Sequence, residues 1–480
     1  MNAATRAKTA AEDHIPFRHK LAYGAGAFVN NLLAAAIGGM MIVLNLGLGM
    51  NPALVGLLGA IPRLTDAVTD PLMGYISDHA RTRWGRRRPF IFGGVFIAGL
   101  TYALLWQLPD GRSEHFYFVW FLIGSILFYM GYTIFATPWV ALGYELTPDY
   151  HERTRLMGTQ NFIGQLAYVV SPWFLWIMSN DGFFEDQVSG AAGLAIIVAV
   201  VAIALGVIPA IFLRERMQAV ALTVPEGNDG LWSNVREFFQ GFRKTLASGP
   251  FLKLCLATFM IFNGFMLIAS FQYYVIIYYV ARGDQTLGAK YAGWAGTVGA
   301  VATFAVVVFV TWLGTKIGKR RALTLSVSIS IIGYGLKWVT YNPDMPWLVV
   351  VPAPLMAFGL GGLFTIVPSM VADVVDLDEL KTHERREGMY GSIFWWTVKL
   401  GMAAALAGGG YLLNATGFQV DLGANQVPEA ITRLRIFDAC IPMLTSAIAI
   451  WAVLTFPITE EKAHQVREEL ESRRGRPEVN

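Results

Sequence analysis

Three ionisable residues interrupt a long apolar stretch of this chain. They lie in Arg63-Leu-Thr-Asp66-Ala-Val-Thr-Asp70-Pro71-Leu-Met-Gly74. Their spacing of i, i+3, i+7 places Arg63, Asp66 and Asp70 on one face of one helix. A charged side chain at bilayer depth costs roughly 2.5–3.5 kcal/mol even on the mildest scales, so such residues mark function by default. Two carboxylates and one guanidinium leave a formal charge of about −1 at neutral pH. That suits a site for one small cation, Na⁺ or H⁺. The plainer reading is a buried ion pair that fixes helix packing. Arg63 then serves as charge partner to one carboxylate, and the second carboxylate is left to explain.

The surrounding elements follow from composition. Of 480 residues, 55% are hydrophobic and 15% charged, against about 25% charged in a soluble protein. Twelve apolar segments reach the length needed to span hydrocarbon: 22–48, 52–77, 89–109, 116–143, 156–179, 190–213, 251–281, 289–315, 321–341, 345–372, 389–415 and 433–457. Backbone polar groups must be satisfied internally in lipid, and long continuous apolar runs fit helices rather than barrel strands. With both termini cytoplasmic and residues at span ends counted with the adjoining side, 29 of 37 basic residues fall inside, five outside (Arg112, Arg282, Lys290, Arg433 and Arg435), and three (Arg63, Lys337 and Lys399) deep within spans. The positive-inside rule selects that topology. The net charge of +3 therefore reports membrane topology, and no nucleic-acid partner is expected. The polar first 20 residues lack the form of a cleavable signal peptide. Cys255 and Cys440 offer no metal spacing, and the seven histidines lie outside the spans or at their ends. No phosphate-binding loop, metal-ligand spacing or nucleophile motif is present, so neither an enzyme nor an ATP-driven pump is expected, and no cofactor.

The spans divide six and six into an N-terminal bundle over 1–213 and a C-terminal bundle over 251–457. Between them, 214–250 carries Leu231, Trp232, Val235, Phe238, Phe239 and Phe242 at helical spacing, the pattern of an amphipathic helix lying on the membrane surface. The tail, 458–480, is short and charged. Short basic turns follow the second and eighth spans: Gly74-Tyr-Ile-Ser-Asp78 leads to Arg81-Thr-Arg83-Trp84-Gly85-Arg86-Arg87-Arg88-Pro89, and Gly314-Thr-Lys316-Ile-Gly318 leads to Lys319-Arg320-Arg321. Such repetition fits two related halves that rock around a central site. Gating charges are expected at Asp78, Arg86 and Arg87, at Glu145 and Arg153 beyond the fourth span, and at Asp373, Asp376 and Arg385 beyond the tenth. Their mixed signs suit salt bridges between the bundles that form in one state and break in another.

These pieces together resemble the glycoside–pentoside–hexuronide:cation symporters, the melibiose-carrier type of the major facilitator superfamily. The resemblance covers nearly the whole chain. It rests on Tyr23-Gly24-Ala-Gly26-Ala-Phe28, the Arg63–Gly74 motif, Thr82-Arg83-Trp84-Gly85-Arg86-Arg87-Arg88-Pro89-Phe90, Pro138-Trp139, and Asp373-Val-Val-Asp376 through Glu387-Gly388. It implies an all-α membrane protein with twelve transmembrane helices in two pseudo-symmetric six-helix bundles. It further implies symport of a sugar with Na⁺, Li⁺ or H⁺ across the cytoplasmic (inner) membrane, by a protein expected to be monomeric. By matching positions, Asp66 and Asp70 are the cation carboxylates, Thr133 a cation-site hydroxyl, and Lys399 a lysine near both sites. Thr69 stands where the family often has an Asn, which leaves Na⁺ against H⁺ open.

The departures concern sugar binding. Asn31, with Asn30 beside it, replaces a family aspartate. Ala136 replaces another, and Gln160 an arginine. Amides still hydrogen-bond hydroxyls in both senses; Ala136 cannot. The transport framework is kept while the sugar-gripping set is rewritten, so the substrate is expected to differ. Further lining candidates are Trp139, Gln165, Tyr273, Trp395 and Trp396, although helix aromatics more often face lipid or core. Rival readings are a cation-coupled lysolipid or amphiphile carrier, a proton-driven exporter and, least favoured, a membrane sensor.

Overall fold

The structure is a computed structural model that describes residues 14–147, 150–215, 243, 245–383 and 386–474. The described residues of the expected surface helix at 214–250 are too few to place it, and most of that segment lies outside them. The chain divides into two compact units, Met1–Glu226 and Gly227–Asn480.

In the first unit, α1 (Phe17–Met40) continues as α2 (Ile42–Leu46). Then follow α3 (Pro52–His79), α4 (Arg88–Leu105), α5 (Glu114–Glu145), α6 (Tyr150–Val170), α7 (Phe174–Met178) and α8 (Gln187–Phe212). Local sequence sets the starts. Asn51 caps α3, accepting from the Ala53 N–H ahead of Pro52 at the first helical position. Asp186 and Ser189 form a reciprocal capping box on α8. α5 packs on α3 and α4, and α1 on α6 and α8. The α4–α5 approach requires small residues: a Cβ on Gly94 would lie 2.7 Å from the Ile134 carbonyl carbon.

The second unit holds α9 (Gly249–Tyr274), which runs into a π-helical segment (Val275–Val280). It is followed by α10 (Gln285–Ile317), α11 (Lys319–Thr340), α12 (Pro352–Thr382), α13 (Glu387–Ala415), α14 (Pro428–Leu454) and a charged terminal helix, α15 (Glu460–Arg474). α9 packs on α13 and α14, α11 on α12 and α14, and α15 on α12. A core of Phe251, Val306, Leu323, Leu363, Val374 and Tyr390 ties α9 through α13 together.

Among the described residues, nine helices are long and apolar enough to cross a membrane. The remaining long helices α3, α6 and α13 are outside that set. They carry the polar residues singled out by sequence: Arg63, Asp66 and Asp70; Gln160 and Gln165; and Lys399.

Candidate functional site

Asp70 and Thr133 come from different helices and meet. Thr133 is only 2% exposed, on the face of α5 packed against α3, and its hydroxyl donates to Asp70 Oδ1 at 2.9 Å. Tyr129, one turn earlier on α5, lies under the Arg63 guanidinium at 4.5 Å from the ring centroid. The i, i+4 relation of Tyr129 and Thr133 puts both on the face that reads α3. Thr69 turns its hydroxyl back to the Thr65 carbonyl at 3.2 Å, so its oxygen keeps acceptor capacity only. The backbone of Asp66 is helical, one turn before Asp70, and its side chain lies outside the described residues. A carboxylate with a hydroxyl beside it is a hard-oxygen environment suited to a small cation. The hydroxyl can donate to the bare carboxylate and offer a lone pair when a cation arrives.

Tyr132, the residue before Thr133, points to α1 instead. Its hydroxyl donates to Asn30 Oδ1 at 2.8 Å, and Asn30 Nδ2 donates to Asn31 Oδ1 at 3.2 Å. Successive residues on a helix diverge by about 100°, so α5 serves α3 and α1 at once. Gln160 and Gln165 are half-buried on α6, which packs on α1. Trp139 is 2% exposed and stacks on Tyr23 at 5.0 Å, its indole N–H donating to the Tyr23 carbonyl at 3.2 Å. Its surroundings are those of a core residue between α1 and α5, which leaves no face open to a substrate. In the second unit, Tyr273 is half-buried at the end of α9, and Trp395 stacks on Phe364 at 6.1 Å. Trp396 is exposed and Lys399 half-buried, both on α13.

The described ion pairs among the residues expected to gate each lie within one unit, where pairs between the bundles were expected. Arg86 and Arg87 both engage Glu145, the latter at 2.9 Å. Burial pushes the Glu145 carboxyl above its ordinary range, and Arg87 and Arg86 pull against it. The Glu215 carboxylate accepts the backbone N–H groups of Arg86, Arg87 and Arg88 at 2.9, 2.7 and 3.1 Å, capping α4. Gly85, at φ +109°, makes that turn: a Cβ there would lie 2.6 Å from Glu215 Oε1. The second unit has a similar glycine turn beside a carboxylate. Gly318 has φ +83°, a Cβ on it would lie 2.7 Å from Glu460 Oε2, and it precedes the basic start of α11. Lys319 there pairs with Asp373 at 2.7 Å. Arg386 takes Asp378 in a two-pronged grip at 3.0 and 2.7 Å. Asp376 is half-buried on α12. The side chains of Asp78 and Arg153, and all of Arg385, lie outside the described residues.

Next to Arg153, Glu152 is fully buried and collects Lys20 at 2.6 Å, Arg155 at 3.0 Å and the Ile15 N–H at 3.1 Å. Burial alone would raise its pKa, but those hydrogen bonds outweigh it and hold the carboxyl below its ordinary value. Sequence reasoning did not single out Tyr129, Tyr132, Glu215 or Glu460. Tyr129 alone was within reach of it, one turn from Thr133.

Residues 22–460 match the family described as MFS/sugar transport protein. The chain belongs to that family. It is a symporter of the glycoside–pentoside–hexuronide:cation type, and the family and its relatives are multi-pass membrane transporters, not enzymes. The symporter is 25% identical to the glucuronide carrier protein homolog of Escherichia coli, over 96% of each chain. It is also 25% identical to the sodium-dependent lysophosphatidylcholine symporter 1-B of Danio rerio, over 95% of this chain and 90% of that one. Its fold is similar to that of a bacterial homolog of the human lysosomal transporter Spinster, with a TM-score of 0.65, 16% identity, and coverage of 95% and 98% of the two chains.

Proposed function

We propose that the symporter carries a sugar or glycoside by alternating access, coupled to Na⁺ or H⁺ held by Asp66, Asp70 and Thr133. The observation that carries this reading is the Thr133–Asp70 hydrogen bond at 2.9 Å. It joins a carboxylate and a hydroxyl, from two separate spans, that the family resemblance assigns to one cation site. Arg63 is the counter-charge, held over Tyr129. Asn30 and Asn31, braced by Tyr132, are the hydrogen-bonding rim for substrate hydroxyls, with Gln160, Gln165, Tyr273, Trp395, Trp396 and Lys399 as further candidates. The chain crosses the inner membrane twelve times with both termini cytoplasmic, works as a monomer, and uses its Arg86/Arg87–Glu145 and Lys319–Asp373 pairs as gates. Cation binding neutralises α3 and favours substrate binding, so each ligand tightens the other by linkage.

A lysolipid as cargo is the second reading. The neutral Asn30–Asn31 pair and the likeness to a lysophosphatidylcholine symporter favour it. The test is thermal stabilisation of the purified protein against glycosides and lysolipids, with Na⁺ or with choline in its place, at two pH values. A glycoside that stabilises only with the coupling cation supports the first reading. Stabilisation by lysolipids alone supports the second.

A further inference from the structure

A second charged pair lies at depth in the other unit, apart from the proposed cation site. Lys337, near the end of α11, and Asp438, on α14, have side chains 1% and 2% exposed, and their charged atoms are 2.5 Å apart. Beside them is a cavity of about 10 Å³, lined by Val275, Lys337, Tyr341, Arg435 and Asp438 among others. Such a space holds the centre of one water molecule, which needs roughly 10–15 Å³. Among the described residues, Asp438 Oδ1 and the Tyr341 hydroxyl are buried with no hydrogen-bond partner, and Lys337 Nζ makes no aligned hydrogen bond despite its ion pair. Three buried polar atoms thus belong to residues lining one water-sized cavity.

Chemistry narrows the occupant. A metal cation would compete with Lys337, which already sits against the carboxylate. An anion would meet Asp438. The remaining cation, Arg435, is engaged elsewhere: it donates to the Trp338 carbonyl at 2.9 Å and lies over Tyr279 and Trp338 at 3.9 and 4.4 Å from their centroids. Water alone both accepts from an ammonium or phenol and donates to a carboxylate. We propose that Lys337, Asp438 and Tyr341 form a binding site for a single buried water, which completes the ion pair and pins α11 to α14 beside the π-helical segment. The site is neutral as a set and takes no part in cation coupling.

The test is an experimental structure of the full chain in lipid at a resolution that shows ordered water. One density peak within about 3.2 Å of Asp438 Oδ1, Tyr341 Oη and Lys337 Nζ is expected. An empty cavity, or a direct bond between Asp438 and Tyr341, overturns the proposal. Melting of variants supplies an independent arm. Lys337→Met and Asp438→Leu alone each lower the melting temperature by roughly 5–10 °C, because each strands a buried charge. The double variant regains more than half of that loss and keeps substrate accumulation per folded molecule within about two-fold. Additive losses in the double variant, or abolished cation coupling in it, overturn the proposal.

Discussion

Removing the Thr133 hydroxyl while keeping its shape isolates one contact. Thr133→Val preserves volume at a site only 2% exposed and deletes the donor that lies 2.9 Å from Asp70 Oδ1. A hydrogen bond to a charged group contributes about 1.5–3 kcal/mol. If the same oxygen is a ligand in the cation-bound state, that loss falls on cation binding, and each 1.4 kcal/mol is about tenfold. The concentration of coupling cation giving half-maximal stabilisation should therefore rise about 10–100-fold. Thr133→Ser, which keeps the oxygen, should stay within a few-fold of the parent. The assay is melting temperature against cation concentration in purified protein, with uptake in vesicles as the functional check. A Val variant that melts normally and keeps the parental cation dependence would refute the role given to Thr133.

Other expectations concern the ends of the helices. Glu215→Gln should lower stability by about 1–2 kcal/mol, since a neutral amide caps the α4 N–H groups less well than a carboxylate; an unchanged melting temperature counts against the cap. Glu152, held below its ordinary pKa of 4.5, binds fewer protons folded than unfolded between the two values. Its contribution to stability is therefore complete above the unfolded pKa and lost as pH falls through the folded one. The melting difference between the parent and Glu152→Gln should accordingly shrink on acidification from pH 7; a constant gap would show the carboxylate's charge to be immaterial. Asn31→Asp should alter the ranking of glycosides in the stabilisation panel, and an identical ranking removes Asn31 from the substrate rim.

What could be read in advance depended on sequence distance. That Arg63, Asp66 and Asp70 stand on one helix is a matter of apolar period within one segment, so the helix itself was legible. Thr133 lies 63 residues from Asp70, and only the family resemblance linked them. Tyr132 and Asn30 are 102 residues apart, and no local pattern announces a phenol that braces an amide on another helix. Glu215 reaches the α4 amides over a separation of 127 to 129 residues. It stands in a charged stretch that reads as a solvated face. Lys337 was visible as a lysine within a span, but nothing in its own segment points to its partner Asp438, which stands on a different span. Trp139 illustrates the converse. Its motif invited a substrate role, while the space between α1 and α5 encloses it. The π-helical segment after Tyr274 has no sequence signature, since Val275-Ile-Ile-Tyr-Tyr-Val280 would serve equally well in an α-helix.

The central claim is that Asp70 holds the coupling cation. The most direct measurement is cation-dependent thermal stabilisation of the purified parent and of Asp70→Asn, with Na⁺ against choline at two pH values. The account predicts stabilisation of the parent by Na⁺ or by protons, and a folded Asp70→Asn variant that responds to neither. A variant that keeps the parental response would contradict it and move the coupling site elsewhere in the chain.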